Sequence, residues 1–147
     1  MFIENIAAYV KIQLQNGAEI ISAVKIVPVK IRQGTIGKNI CTKIDVNWLE
    51  TENSIRHADD VIVCGSHGEE YILSAAEFSR RYQPDPNKQN LWIPKPIVQK
   101  FIYLTENISF KAPWGNIMHM CQGDVLNITD KHNIYGIAAS VFATDYR

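Results

Sequence analysis

Residues 97–138 read as a succession of short apolar runs: IVQKFIYL (97–104), ISFKAPW (108–114), IMHMC (117–121), VLNIT (125–129) and IYGIA (134–138). Each is rich in β-branched or aromatic residues and each is bounded by turn formers, so each predicts a strand. Gly123-Asp124 and the segment Asp130-Lys131-His132-Asn133 supply the turns. The closing stretch AASVFATDY changes period, with Phe142 and Tyr146 four residues apart. On a helix those two rings share a face and can cover the open side of a sheet.

The same pattern occurs earlier in the chain. Residues 58–82 (ADDVIVCGSHGEEYILSAAEFSRRY) align without a gap on residues 122–146 at an offset of 64. Asp60 falls on Asp124, Val61 on Val125, Tyr71 on Tyr135, Ala75 on Ala139, Phe78 on Phe142 and Tyr82 on Tyr146. Three aromatic identities in register indicate two copies of one unit. Trp48 and Trp114 precede the two aspartates, and Pro28-Val29 and Pro96-Ile97 open an apolar stretch in each half. The units are therefore expected at residues 25–82 and 93–147. Between them lies the segment 83–92, whose QPDPNKQN is the one linker-like stretch of the sequence. In the first unit Ser74, three residues before Glu77, suggests a capping box.

Residues 1–24 lie outside the repeat. Val10, Ile12 and Leu14 alternate with Lys11, Gln13 and Gln15 and run into Asn16-Gly17, which reads as a strand entering a hairpin. A helix over residues 3–14 is the alternative, through the stripe Ile3, Ile6, Val10 and Leu14. The expected fold is α+β and β-dominated: two tandem curved-sheet units, each closed by a short C-terminal helix, with an N-terminal hairpin. A single merged pseudo-symmetric domain is the close alternative.

The second copy resembles the PGDYG-motif proteins, small bacterial and phage domains. The resemblance is carried by Lys95-Pro96-Ile97, Trp114-Gly115, Gly123-Asp124, Tyr135 and Phe142-Ala143-Thr144-Asp145-Tyr146. Gln122 and Val125 stand where the family has its proline and tyrosine, and the first copy has Ala58-Asp59-Asp60-Val61 there. The resemblance implies a fold unit and a bacterial, phage-linked or mobile-element origin, without an activity.

Composition narrows the function classes. With 147 residues, 46% hydrophobic and 20% charged, the chain has the make-up of a globular domain large enough to bury its own core. Lys+Arg and Asp+Glu total 15 each, so the net charge is zero and neither nucleic-acid nor membrane-surface binding is favoured. Three cysteines make an odd, sparse set suited to a reducing cytosol. No signal peptide or membrane span is evident, so a cytoplasmic location, or export as an effector without a cleaved signal, is expected.

Candidate chemistry is thin. Asp60 and Asp124 form a repeated acid pair, but an aspartate at a turn ordinarily accepts backbone N–H bonds. Cys64, His67, His119 and Cys121 are the ligand types of a zinc site without its knuckle spacing. Cys64 with His67 and Asp60 or Asp130 sketches a nucleophile, base and orienting acid. The segment 31–43, with Arg32, Lys38 and Lys43, is locally basic. Gly34, Gly37, Gly65 and Gly68 lack the lysine and length of a phosphate loop. The repeated rings Tyr71, Phe78 and Tyr82, with Tyr135, Phe142 and Tyr146, are expected to pack. Trp92, Trp48 and Trp114 are the candidate partner-binding residues, since tryptophan is enriched at interface hot spots. The expectation is a non-enzymatic module that binds another protein as adaptor or inhibitor, without metal or cofactor; homodimerisation is compatible with it. The alternative is a small enzyme using groups near 60–67 and 119–132.

Overall fold

The computed structural model describes residues 1–44 and 48–147, with the side chains of 44, 48 and 49 left aside. In chain order the elements are β1 (Phe2–Ile3), α1 (Ile6–Gln15), β2 (Ile21–Ala23), β3 (Lys30–Arg32), β4 (Asn39–Ile44), β5 (Trp48–Ser54), β6 (Val61–Cys64), β7 (Glu70–Leu73), α2 (Ala75–Arg81), β8 (Tyr82–Pro84), β9 (Trp92–Pro94), β10 (Gln99–Tyr103), β11 (Ile108–Lys111), β12 (Ile117–Met120), β13 (Val125–Asn127), β14 (Tyr135–Ile137) and α3 (Ala139–Asp145). The protein is α+β and β-rich, as the pattern of short apolar runs predicts.

Each half follows the same sequence of elements: a strand, a hairpin, two further strands and a short helix. In the first half β3 pairs with β6 and β6 with β7, all antiparallel. In the second, β10 pairs with β13 and β13 with β14, again antiparallel. The hairpins are β4–β5 and β11–β12. Strand alternation then sorts the side chains into two layers. Val61 and Val63 face Phe78 and Tyr82 of the α2 segment, whereas Ile62 packs with Ile40 and Ile55 of the hairpin side. Phe101 and Val125 meet Phe142 and Tyr146, whereas Ile102 and Leu126 join Phe110, Met118 and Met120 on the hairpin side. The helical rings agree in detail. Phe78 and Tyr82 stack with centroids 5.2 Å apart, Phe142 and Tyr146 with centroids 5.4 Å apart, both at 25°.

Two expectations are corrected. Residues 6–15 form a helix, not a hairpin strand. Ile12, which a strand would place beside Val10 and Leu14, is exposed, while Val10 is buried and Ile3, Ile6, Tyr9 and Leu14 pack at helical spacing on the core of the second half. Asn5 caps the start by accepting from Ala8 N at 3.0 Å. Asn16-Gly17 is the stop signal: Gly17 has φ +95°, its N–H reaches Leu14 O, and Ala18 N reaches Gln13 O. Those two bonds make a Schellman cap, which uses the same Asn-Gly chemistry as a hairpin turn. The second correction concerns residues 83–92. This segment is an ordered hairpin, β8 against β9, closed by Asp85 N to Leu91 O, and not a free linker.

The halves are interlaced. The strand β2 adds to β10, giving the sheet order β14-β13-β10-β2. Just beyond it Val24 and Arg147 exchange both backbone bonds, and Ile26 N donates to Asp145 O. The strand β1 runs parallel to β11 at the other side of the second half. No helix among the described residues is long and apolar enough to cross a membrane.

Candidate functional site

The residues singled out as potential chemistry are kept apart. Asp60 Oδ2 accepts from Arg56 N and His57 N at 3.0 and 3.1 Å. Asp124 Oδ2 accepts from Cys121 N at 2.7 Å, and its Oδ1 from Ala139 N at 2.8 Å. Both aspartates therefore close backbone turns, as expected for a short acid at a turn. Cys64 Sγ lies 3.2 Å from Glu70 Oε2, and Glu70 is paired with Arg32. Burial and this hydrogen bond raise the Cys64 pKa, and burial also raises that of Cys121. Both are therefore thiols and not thiolates near neutral pH, the inert state for a nucleophile. His67 Nε2 meets Thr144 Oγ1 at 2.6 Å, His119 Nδ1 meets Ser109 Oγ at 2.9 Å, and Asp130 holds its own turn through His132 N and Asn133 Nδ2. Among the described residues no three His, Cys, Asp or Glu are placed to hold a metal ion.

The tryptophans are partly packed. Trp92 is half-buried, edge-on to Phe78 at 5.0 Å, and its backbone exchanges hydrogen bonds with Val29. Trp114 is half-buried, donates Nε1–H to Thr51 Oγ1 at 3.2 Å and, through its backbone oxygen, accepts from the Arg56 guanidinium. The side chain of Trp48 lies outside the described residues. In the basic segment, Arg32 is tied to Glu70 at 2.8 Å, which offsets one of its charges while leaving the guanidinium partly exposed.

What the structure does bring together is a cavity of about 650 Å³ between the two halves. Its apolar wall includes Leu73, Ile97, Trp114, Met118, Ile137 and Val141. Its polar wall is built around the four repeated tyrosines. Tyr71 and Tyr82 hydroxyls are 2.9 Å apart, and Lys25 Nζ donates to both, at 3.0 and 2.8 Å. Tyr135 OH accepts from Asn127 Nδ2 at 3.0 Å and from Arg81 Nη1 at 3.5 Å. Tyr146, whose backbone bridges to Lys25, completes the set. Burial raises the pKa of Tyr71, Tyr82 and Tyr146, which keeps their hydroxyls protonated. The packing expected of the repeated rings thus holds for Phe78 and Phe142, whereas the tyrosines also line a shared cavity.

Several of these residues carried no sequence signal. Lys25 lies in an irregular stretch at the very start of the first unit, and Glu50 sits in β5 within the polar string ETENS. Glu50 is nevertheless only 6% exposed, and burial, with Asp124 and Glu69 nearby, pushes its pKa up to about 8. Asp145, at 1% exposure, accepts from Ser66 Oγ and Thr144 Oγ1, both at 2.8 Å, and fastens the β6–β7 turn to α3. The usable clue was the recurrence of Tyr71 and Tyr82 at the spacing of Tyr135 and Tyr146, four residues that all line the cavity.

Comparison with protein-family models, curated proteins and solved structures finds no match.

Proposed function

We propose that this protein is a non-enzymatic binding module whose site is the cavity between its two halves, the halves being diverged copies of one PGDYG-like unit. The observation that carries the reading is the cavity itself, mostly apolar, walled by repeat-equivalent tyrosines and supplied with a few converging polar groups. Sites of roughly 300–1,000 Å³ with that character are the usual form of a ligand pocket. Against catalysis stands the state of the candidate groups: Cys64, His67, Asp60 and Asp130 each have separate structural partners. The adaptor or inhibitor role is the form of this reading in which the occupant is a segment of another protein, and Trp114 on the cavity wall would then touch it. A cytoplasmic location, or export without a cleaved signal, accords with the three unpaired cysteines.

The test is a thermal-shift screen of small-molecule and short-peptide fragments, run on the wild type and on Ile97→Trp, whose added ring fills the cavity from its half-exposed rim. Fragments that raise the melting temperature of the wild type and not of the variant support the reading. Stabilisation that survives the filled cavity, or turnover of any stabilising fragment, counts against it.

A further inference from the structure

The hydrogen-bond inventory of the cavity is unbalanced toward donors. A protonated lysine has three N–H groups and each phenol one O–H. The triangle of Lys25, Tyr71 and Tyr82 is closed by three bonds, two from Nζ and one between the phenols. One N–H of Lys25 and one phenolic O–H are left over, whichever tyrosine donates. Tyr135 OH is approached only by donors, Asn127 Nδ2 and Arg81 Nη1, so its own O–H is unspent as well. The Tyr146 hydroxyl has no partner among the described residues. These groups belong to residues that line one cavity, where unspent donors are placed to meet an acceptor.

The charge balance points the same way. Lys25 makes no ion pair among the described residues, and its ammonium lies over the Tyr71 and Tyr82 rings at 5.5 and 5.4 Å from their centroids. Arg80 and Arg81 share the single carboxylate of Glu77, which leaves a surplus positive charge at that corner. Lys95 adds another cation, bonded to Ser79 O. Of the acids on the wall, Asp130 is spent on its own turn, and burial favours the neutral forms of Glu50 and Glu69. A tyrosine-lined, cation-anchored recess beside an apolar wall is matched by a molecule with an anionic head and an apolar body.

We infer that the cavity binds an oxyanion-headed apolar ligand, with a carboxylate or phosphate group held by Lys25 Nζ and the hydroxyls of the repeated tyrosines, and the ligand's body against Leu73, Ile97 and Ile137. This inference rests on the cavity being the binding site. Charge-assisted hydrogen bonds are shorter and stronger than neutral ones, so the head group supplies the discrimination and the apolar wall supplies area.

The experiment is titration calorimetry of the whole protein with 2-naphthoate, with the uncharged isostere 2-naphthamide and with inorganic phosphate. Wild type is expected to bind naphthoate at least about tenfold more tightly than naphthamide, the size of one lost charged hydrogen bond. Lys25→Met should abolish that preference, weakening naphthoate far more than naphthamide. Tyr71→Phe, which keeps the ring and removes a hydroxyl, should weaken naphthoate several-fold and carries the test if the lysine variant does not fold. Displacement of naphthoate by phosphate identifies a phosphate-type head, and binding without displacement identifies a carboxylate; both support the inference. Equal affinity for acid and amide, lost together in Ile97→Trp, overturns the oxyanion and leaves the cavity as the site. Failure of naphthoate, naphthamide and phosphate alike to bind overturns both.

Discussion

At the scale of single residues, what is unusual is how much acid this protein keeps inside. Burial pushes the Glu50 pKa up to about 8 in the folded chain, against an ordinary value of 4.5. Below the lower value both states are protonated and the group is neutral in its effect. Between the two the folded chain binds a proton that the unfolded chain releases, so stability falls as pH rises, by up to about 1.4 kcal/mol per pH unit. Above the upper value the cost is constant. Glu50→Gln removes that cost, so its stability gain over wild type should be larger at about pH 8 than at about pH 5, as read from urea unfolding at the two values. A stability difference independent of pH would show that Glu50 ionises normally. Gly65 lies at the same acidic seam: a Cβ there would come 1.5 Å from Glu69 Oε1, so Gly65→Ala must expel the Glu69 side chain. Its expected cost is above about 2 kcal/mol, measurable by the same titration. Legibility at this scale was uneven. The turn roles of Asp60 and Asp124 could be read from the residue type beside glycine or aspartate. The burial of Glu50 could not, because its strand reads as solvent-facing and is buried by tertiary packing between the halves.

Elements were more legible than residues, and their errors had identifiable causes. The strands of the second half were placed to within a few residues because apolar runs bounded by turn formers leave little choice. The helix α2 was expected with a capping box; Ser74 Oγ does accept from Glu77 N at 3.1 Å, but the Glu77 carboxylate turns away to Arg80 and Arg81. The helix α3 has Ala138 at the same position, with no side-chain cap, and Asp124 reaches over from the turn before β13 to bind Ala139 N. Asp124→Ala should therefore cost more than Ser74→Ala, roughly 3 against roughly 1 kcal/mol, because it releases a turn and a helix end together. Equal costs in chemical denaturation would argue that α3 does not rely on Asp124. For α1 the ambiguity was real: its ten residues fit both periods, and only the exposed Ile12 and the positive φ of Gly17 decide for a helix. Gly17→Ala is expected to destabilise by about 1 kcal/mol through backbone strain alone, since no atom lies within 4 Å of the added Cβ.

For the whole molecule, the α+β, β-rich class was visible in the sequence, and the way its strands and seams are joined was not. Alignment of one half on the other shows which residues are equivalent; it cannot show which of them meet. Here the joining contacts are long-range: Lys25 with Tyr146, Thr51 with Ile117 and Trp114, and Ser66 with Asp145. Because the segment before the first half adds a strand to the second half's sheet, and side chains of both halves meet across the seam, the chain should unfold in one transition, with coincident fluorescence and circular-dichroism midpoints. Two separated transitions would show that the halves are independent domains.

The strand β2 and the segment after it have one further consequence, for the order of events in the cell. Among the described residues the backbone of 21–26 finds its strand partners at 99–101 and 145–147, late in the chain. During synthesis the first half can therefore assemble its own sheet while this early segment waits, unpaired, for residue 147 to be made. Such a distant closure is slow to form, and an unpaired strand edge is a docking site for chaperones and for other chains. Ile20 and Ile26, which flank β2 and stay exposed after folding, add apolar surface to that waiting segment.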